Sequence, residues 1–363
     1  MARLPKLFQP ISFRSVTSRN RIVVAPMCQY SAHEGLGGEW HVQHLGSRAV
    51  GGAGIVFTEA THVSALARIT PGCLGLWDDA QAALLKRLVE VITIGGAVPG
   101  MQIAHAGRKA SSQRPWEGGA PIPVSEGGWV PWAPSALPFS DKATVPHAMS
   151  VADIAEVIGQ FRASTRMARE AGMKVIEVHA AHGYLLHSFL SPLSNTRNDQ
   201  YGGDLAGRAR ALMETIDAVR EEWPDDLPLF VRVSSVDWMA GGITIEDTIE
   251  LSRMLKATGK VDLIDCSSGG ILASGPVIPS LHPGYQVPFA EAVRHHAGIP
   301  TGAVGLITTP EHAEEILGNE RADLVFVARA ILADPIWPLR AALALGAPLD
   351  IPGQYQRSGF GRR

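Results

Sequence analysis

Short apolar runs recur along this chain, separated by amphipathic stretches, and that rhythm sets the elements to expect. Ile22-Val-Val-Ala-Pro-Met27, Ile55-Val-Phe-Thr-Glu-Ala60 and Val98 to Ala104 read as buried strands. β-Branched and aromatic side chains in brief unbroken runs suit a sheet covered on both faces. Val175 to Val178, Leu229 to Ser234, Leu263 to Gly269, Gly302 to Ile307 and Leu324 to Ala330 continue the series. Helices are expected between them. His41 to Val50 runs into Gly51-Gly52, and Asp79 to Ile92 forms a second helix. Ser150 with Asp153 makes a capping box ahead of Ile154, Val157, Ile158, Phe161, Thr165 and Ala168, at helical spacing as far as Gly172. Leu212 to Trp223 is a further helix face. Thr244 and Asp247 open another that ends near Gly259. Thr309 as N-cap, Pro310 at the first helical position and Gly318 as stop bound the next.

Three stretches break the rhythm. Phe8 to Arg21 alternates weakly around Pro10 and suits a short hairpin ahead of the main fold. From 110 to 146 Pro, Gly, Ser and Trp dominate and no periodicity survives, which is the composition of a lid insertion after the third strand. Residues 347–363 form a short Gly- and Arg-rich tail. About eight short strands alternating with helices predict an α/β fold, a (β/α)8 TIM barrel, with residues 1–363 as a single domain. A doubly wound open sheet is the second choice, but no Gly-x-Gly-x-x-Gly follows the first strand.

Composition narrows the partners. A formal charge of −3 over 363 residues offers no electrostatic footprint for nucleic acid or an anionic membrane. No apolar run approaches the roughly 18 residues that span a bilayer. Met1 to Phe8 has no apolar core of a secretory signal. Cys28, Cys73 and Cys266 are few, odd in number and far apart, which points to a reducing cytoplasm rather than a disulfide framework.

Candidate chemistry gathers at the ends of strands. Val175 to Val178 leads directly to His179, His182 and Tyr184, with Gly183 in the turn. Two imidazoles and a phenol in six positions supply hydrogen-bond donors and one acid; a histidine pair of this spacing also suits a metal ion. The third strand ends in Gln102, His105 and Arg108-Lys109. Val304-Gly305-Leu306 precedes a helix start, where free backbone N–H groups attract anions. Arg329, after the eighth strand, has a guanidinium that can fork onto phosphate. Arg232 stands alone in an apolar strand and needs an electron-rich partner, either a ligand or a carboxylate such as Glu177.

These residues resemble the old yellow enzyme family of FMN-dependent ene-reductases over nearly the whole chain. The motifs are Ala25-Pro-Met-Cys-Gln-Tyr30, Gln102-Ile-Ala-His-Ala-Gly-Arg-Lys109, Glu177 to Leu186, Ser194-Asn-Thr-Arg197 with Tyr201-Gly-Gly203, and Gly302 to Ile307. Cys28 and the short tail are similar to the branch called thermophilic-like. The resemblance implies FMN at the strand C-termini, reduced by NADPH or NADH. It assigns Ala25, Pro26, Met27, Ala60, Gln102 and Arg232 to the isoalloxazine, and Val304, Gly305 and Arg329 to the phosphate. By the same resemblance Cys28 tunes the flavin, Tyr30 faces the substrate, His179 and His182 grip its activating oxygen, and Tyr184 protonates. The substrates implied are small electron-poor alkenes. A homodimer or tetramer is expected, in which Arg357 reaches the neighbouring active site. Ala328 departs from the pattern, since many members have Gly there. Two other readings remain: a metal-dependent barrel hydrolase with His179 and His182 as ligands, and a flavin-binding protein without catalysis.

Overall fold

The computed structural model describes residues 4–273 and 281–360. Eight parallel strands close into a barrel. In chain order they are β1 (Ile22–Val24), β2 (Ile55–His62), β3 (Val98–Ala104) and β4 (Val175–Ala180), then β5 (Leu229–Ser234), β6 (Leu263–Ser267), β7 (Thr301–Ala303) and β8 (Leu324–Val327). β8 closes on β1 through Val325 beside Ile22 and Val327 beside Val24. The expected (β/α)8 fold is therefore present, with helices packed around the barrel.

The helices form where the sequence signals them. Val151–Ala171 begins with a reciprocal cap, in which Ser150 Oγ accepts from Asp153 N at 3.2 Å and Asp153 Oδ2 accepts from Ser150 N at 2.7 Å. It ends at Gly172, whose φ of +93° only glycine adopts freely. Val287–Ala297 is a helix that the sequence reading did not anticipate. Its buried Val287, Ala290, Val293 and Ala297 carry helical spacing, but Pro288 obscured it. That proline lies in the first turn, where a backbone N–H has no helical partner to lose.

Several strands are shorter than their apolar runs. β1 stops at Val24, and Ala25 to Tyr30 continues as an extended rim loop after one more ladder bond, Ala25 N to Val327 O at 3.1 Å. Pro26 has no N–H to extend the ladder. β7 stops at Ala303 because the chain turns at Gly305, and β8 stops at Val327, with Arg329 opening a short helix. The 110–146 stretch, expected to be irregular, contains 3-10 turns at Pro115–Glu117 and Val124–Glu126. Its Trp132–Ala133 also pairs with His147–Ala148. It is tied to the rim by Ser112 N to Ile69 O at 2.9 Å and by Arg114 Nε to Tyr30 O at 2.9 Å.

The lower barrel is closed by apolar packing. The expected hairpin forms from Ile11–Phe13 and Val16–Ser18 and sends Phe13 against Phe230, ring centroids 5.1 Å apart. Phe57 stacks on Phe326 at 6.1 Å and lies 6.4 Å from Phe230. Gly302 makes room for this plug, since a Cβ there would come within 2.3 Å of the Phe326 ring. With its base filled, the barrel can offer a site only at the C-terminal rim. Replacing Phe230 with Ala should cost about 3–5 kcal/mol, because the cavity left has no mobile neighbour to fill it. Urea unfolding measures this, and a loss below about 1 kcal/mol would contradict a tightly packed plug.

Candidate active site

The polar site begins directly above the plug. Gln102 on β3, Glu177 on β4, Arg232 on β5 and Asp265 on β6 are all buried. In the strand register Gln102 neighbours Glu177, and Arg232 lies between His179 and Asp265. Gln102 Nε2 donates to Glu177 Oε1 at 2.8 Å. Arg232 Nε is 3.0 Å from Asp265 Oδ2, but the pair is not aligned for a hydrogen bond. The carboxylate partner of Arg232 is thus Asp265 rather than Glu177. Burial and the neighbouring carboxylate push the Glu177 carboxyl well up from its ordinary range, and burial raises Asp265 against the pull of Arg232.

One layer higher stand His179, His182 and Tyr184. The ring of His179 is 5.1 Å from that of His182 and 5.0 Å from that of Tyr184, and His182 and Tyr184 are 6.5 Å apart. The turn that gathers them is strained: His182 has φ +60°, an uncommon value for a side chain of its size. Gly183 must be glycine, because a Cβ would lie 2.1 Å from Gly270 O. Gly183 N donates to His187 Nδ1 at 2.7 Å, and His187 Nε2 lies 3.1 Å from the buried Asp237. His182 N donates to Ser234 Oγ at 2.8 Å, and Lys109 Nζ donates to His182 O at 2.9 Å.

Hydrogen bonds select the imidazole tautomers. Ala181 N donates to His179 Nδ1 at 3.3 Å, which leaves the proton of a neutral ring on Nε2. Ser267 Oγ lies 2.6 Å from His182 Nε2 and 3.4 Å from Gln286 Oε1, which also accepts from Ser268 Oγ at 2.6 Å, so the much shorter contact to the imidazole takes the single Ser267 proton. Ser267 therefore donates to His182, placing that ring's proton on Nδ1. Burial first, and then Arg232, depress both imidazoles well below 6.5, so both stay neutral donors at physiological pH.

Cys28, Tyr30 and Tyr184 pack against Ile69, Cys73, Ala106 and Ala110, so the rim loop after β1 meets the β4 turn. Gln29 N donates to Glu59 Oε2 at 3.1 Å, and His41 Nε2 is 3.0 Å from Glu59 Oε1, which anchors that loop. Burial raises the Cys28 thiol well above its usual range, so it is no thiolate nucleophile. Burial likewise keeps the Tyr184 and Tyr30 phenols protonated. The Lys109 ammonium, lowered to about 8 by burial and then by Arg108, lies 5.1 Å from the Tyr184 ring. A cavity of about 380 Å³ opens here, with Tyr30, Lys109, Phe139 and Tyr184 among its walls.

A second cavity, of about 170 Å³, joins Ser267 and Gln286 to Val304, Gly305 and Arg329. Arg329 is exposed at its edge, and among the described residues it has no ion-pair partner. Gly305 has φ +126°, open only to glycine, and its O accepts from Gly284 N at 2.8 Å. Gln286 Nε2 donates to Val304 O at 3.2 Å, so one amide links this cradle to the serines that hold His182. An unpaired guanidinium, a turn without a Cβ, and the unpartnered buried Arg232 Nε suit a group with phosphate at one end and a polar ring at the other. Such a group fits FMN.

The site residues expected from sequence thus fall into one continuous rim, except Arg357. That residue is exposed on the Gly353–Ser358 turn, whose Tyr355 borders Arg19, Gly95 and Gly96 at the N-terminal end of the strands. The last tail residues, 361–363, lie outside the described residues. Sequence reasoning missed Asp265, Ser267, Gln286, Glu59 and His41 as site residues. Asp265 and Ser267 carried a signal, since polar side chains alternate along an otherwise apolar strand. Gln286 carried none.

The chain is similar throughout its length to known proteins. Residues 6–346 match the NADH:flavin oxidoreductase / NADH oxidase family. The NADPH dehydrogenase of Listeria innocua serovar 6a is 46% identical over 98% of this chain and 99% of its own. That of a Geobacillus species is 48% identical over 97% and 98%. Among solved structures, morphinone reductase superimposes with a TM-score of 0.79 at 27% identity, over 96% of this chain and 91% of its own.

The depressed imidazoles yield a direct expectation. At pH 6.5, where an unperturbed histidine is half protonated, the ring resonances of His179 and His182 should still be those of neutral imidazole. In Ser267→Ala the 15N shifts of His182 should move toward a mixture of tautomers while those of His179 stay. Protonated rings at pH 6.5, or an unchanged His182 in the variant, would contradict the assignment.

Proposed function

This chain belongs to the NADH:flavin oxidoreductase / NADH oxidase family, and from that premise we propose that it reduces activated C=C bonds. It is an FMN-dependent NADPH dehydrogenase of the old yellow enzyme type. The proposed substrates are enones, enals, nitroalkenes, maleimides and quinones. The observation that carries this reading is two neutral imidazole donors and a protonated phenol within 6.5 Å, beside Cys28 and above Gln102 and Arg232.

Bound FMN supplies the hydride that it takes from NADPH; the protein supplies position, charge and a proton. Ala25, Pro26, Met27, Ala60, Gln102 and Arg232 line its ring, and Val304, Gly305 and Arg329 hold its phosphate. His179 donates from Nε2 and His182 from Nδ1 to the oxygen conjugated with the alkene. As hydride adds to the β-carbon, negative charge moves to that oxygen, and donors fixed beforehand stabilise it without reorganising. Tyr184 gives its hydroxyl proton to the α-carbon. Tyr30 bounds the substrate side, and Cys28 tunes the cofactor as an un-ionised, polarisable neighbour. The 110–146 segment acts as the lid of the single barrel domain, and the enzyme works in the cytoplasm. The metal-dependent hydrolase reading needs further ligands beside His179 and His182, and among the described residues no group of three or more metal-binding side chains gathers.

Purified protein should show flavin absorbance that NADPH bleaches. In the double variant His179→Ala, His182→Ala, alkene turnover should fall by about 3 kcal/mol for each lost donor, with flavin reduction by NADPH less affected. Unchanged alkene turnover would remove the oxyanion assignment. Tyr184→Phe should slow cyclic enones more than nitroalkenes, whose nitronates can leave and take a proton from water; equal losses would count against Tyr184 as the acid.

Arg357 belongs to the proposal as a residue acting on a neighbour. It projects from the opposite end of its own barrel, and Tyr and Arg are types that anchor interfaces. A homodimer or tetramer would place it in the partner's substrate pocket. Mixing Arg357→Ala subunits with subunits inactivated at His179 and His182 should restore activity above either parent. A monomer by light scattering, or no gain after verified subunit exchange, would exclude the arrangement.

A further inference from the structure

The layer beneath the imidazoles holds two carboxyl groups and one guanidinium. With both carboxyls ionised it would carry a net negative charge, walled below by Phe57, Phe230 and Phe326. An uncompensated charge in such surroundings is far costlier than a proton added from water. Arg232 is 3.0 Å from Asp265, whereas among the described residues no cation comes within 4.0 Å of Glu177. Gln102 Nε2 engages Glu177 Oε1, and Oε2 is buried with no partner.

We infer that Glu177 is a neutral acid in the resting protein, carrying a proton on Oε2, and that it sets the charge beneath the cofactor as a positioning residue. The role toward the cofactor rests on the FMN reading above. The proton itself follows from the three side chains alone.

The groups around Glu177 can be named strand by strand. β3 gives the Gln102 amide, β5 gives Arg232 and β6 gives Asp265. Ala25 just after β1, Phe57 of β2, Val304 just after β7 and Phe326 of β8 belong to the apolar interior cluster. Above lie His179 and His182, both neutral, with Lys109 beyond them. Asp265 therefore opposes ionisation of Glu177 and Arg232 favours it. Burial decides for the acid, in the direction already described for its carboxyl.

Electrons entering a cofactor on this layer add negative charge and raise the proton affinity of Glu177. At neutral pH Glu177 already holds its proton, and reduction changes nothing there. On the alkaline side, in the pH window where Glu177 is ionised before reduction and protonated after it, each two-electron reduction by NADPH draws one further proton from water onto Oε2. The midpoint potential then falls more steeply with pH by that one proton per two electrons.

Infrared spectroscopy of the flavin-stripped protein tests the proton. A carboxylic-acid carbonyl band should appear at pH 7, shift on 13C labelling of glutamate carboxyls, not shift on aspartate labelling, and vanish in Glu177→Gln. Glu177→Gln keeps an oxygen for the Gln102 amide. Potentiometry of the flavin-loaded protein tests the role: wild type should show the steeper alkaline segment and Glu177→Gln should lack it. In Asp265→Asn the acid band should give way at a lower pH than in wild type, because the carboxylate that opposes ionisation of Glu177 is gone while burial still favours the acid. No glutamic-acid band, a band that survives Glu177→Gln, a band that ionises no earlier in Asp265→Asn than in wild type, or identical potential–pH curves in wild type and Glu177→Gln would overturn the inference. A protein that binds no flavin would refute the preceding reading instead, and the infrared result would still decide the proton.

Discussion

Arg232 stands in the middle of a strand with no water to solvate it, and the upper barrel is arranged around that constraint. A buried guanidinium requires compensation, and Asp265 on the next strand supplies it at 3.0 Å. Burial first, and then the same cation, which faces His179 across the β4–β5 register, keep both imidazoles neutral. One residue thus bears on the charge of its own layer and on the protonation of the layer above. The aromatic plug makes this possible by keeping water out from beneath. Loss of either the plug or the cation would alter the imidazoles without touching them.

The rim is held by backbone as much as by side chains. His182 keeps a left-handed conformation because its N–H, its carbonyl and its ring each have a fixed partner in Ser234, Lys109 and Ser267. Gln286 connects this turn to the cradle at Val304 and Gly305. The Val304–Gly305 cradle and the His182 turn are therefore one hydrogen-bonded unit. Ala328 lines the same cradle.

Much of this was legible in the chain itself. Strand cores, the capping box at Ser150 and the stop at Gly172 declare themselves locally, because propensity and burial agree there. The cluster His179, His182 and Tyr184 was legible because it follows a buried strand of a barrel. Strand ends were less so. Pro26 and Gly305 end their ladders early, although the apolar runs continue, and hydrophobicity alone cannot see a missing N–H or a positive φ. The helix Val287–Ala297 was hidden by Pro288, which is harmless in a first turn. The choice between Glu177 and Asp265 as partner of Arg232 depends on which strands are neighbours and on side-chain reach, which no local pattern encodes.

The central proposal is that one rim, with FMN bound, would connect oxidation of a nicotinamide to reduction of an activated alkene. Double-mixing stopped flow tests it most directly. The protein is first reduced anaerobically with one equivalent of NADPH, then mixed with a cyclic enone in the absence of further reductant. The account predicts complete bleaching in the first step, full recovery of flavin absorbance in the second, and one saturated ketone formed per flavin. A flavin that NADPH reduces but no activated alkene reoxidises would contradict it.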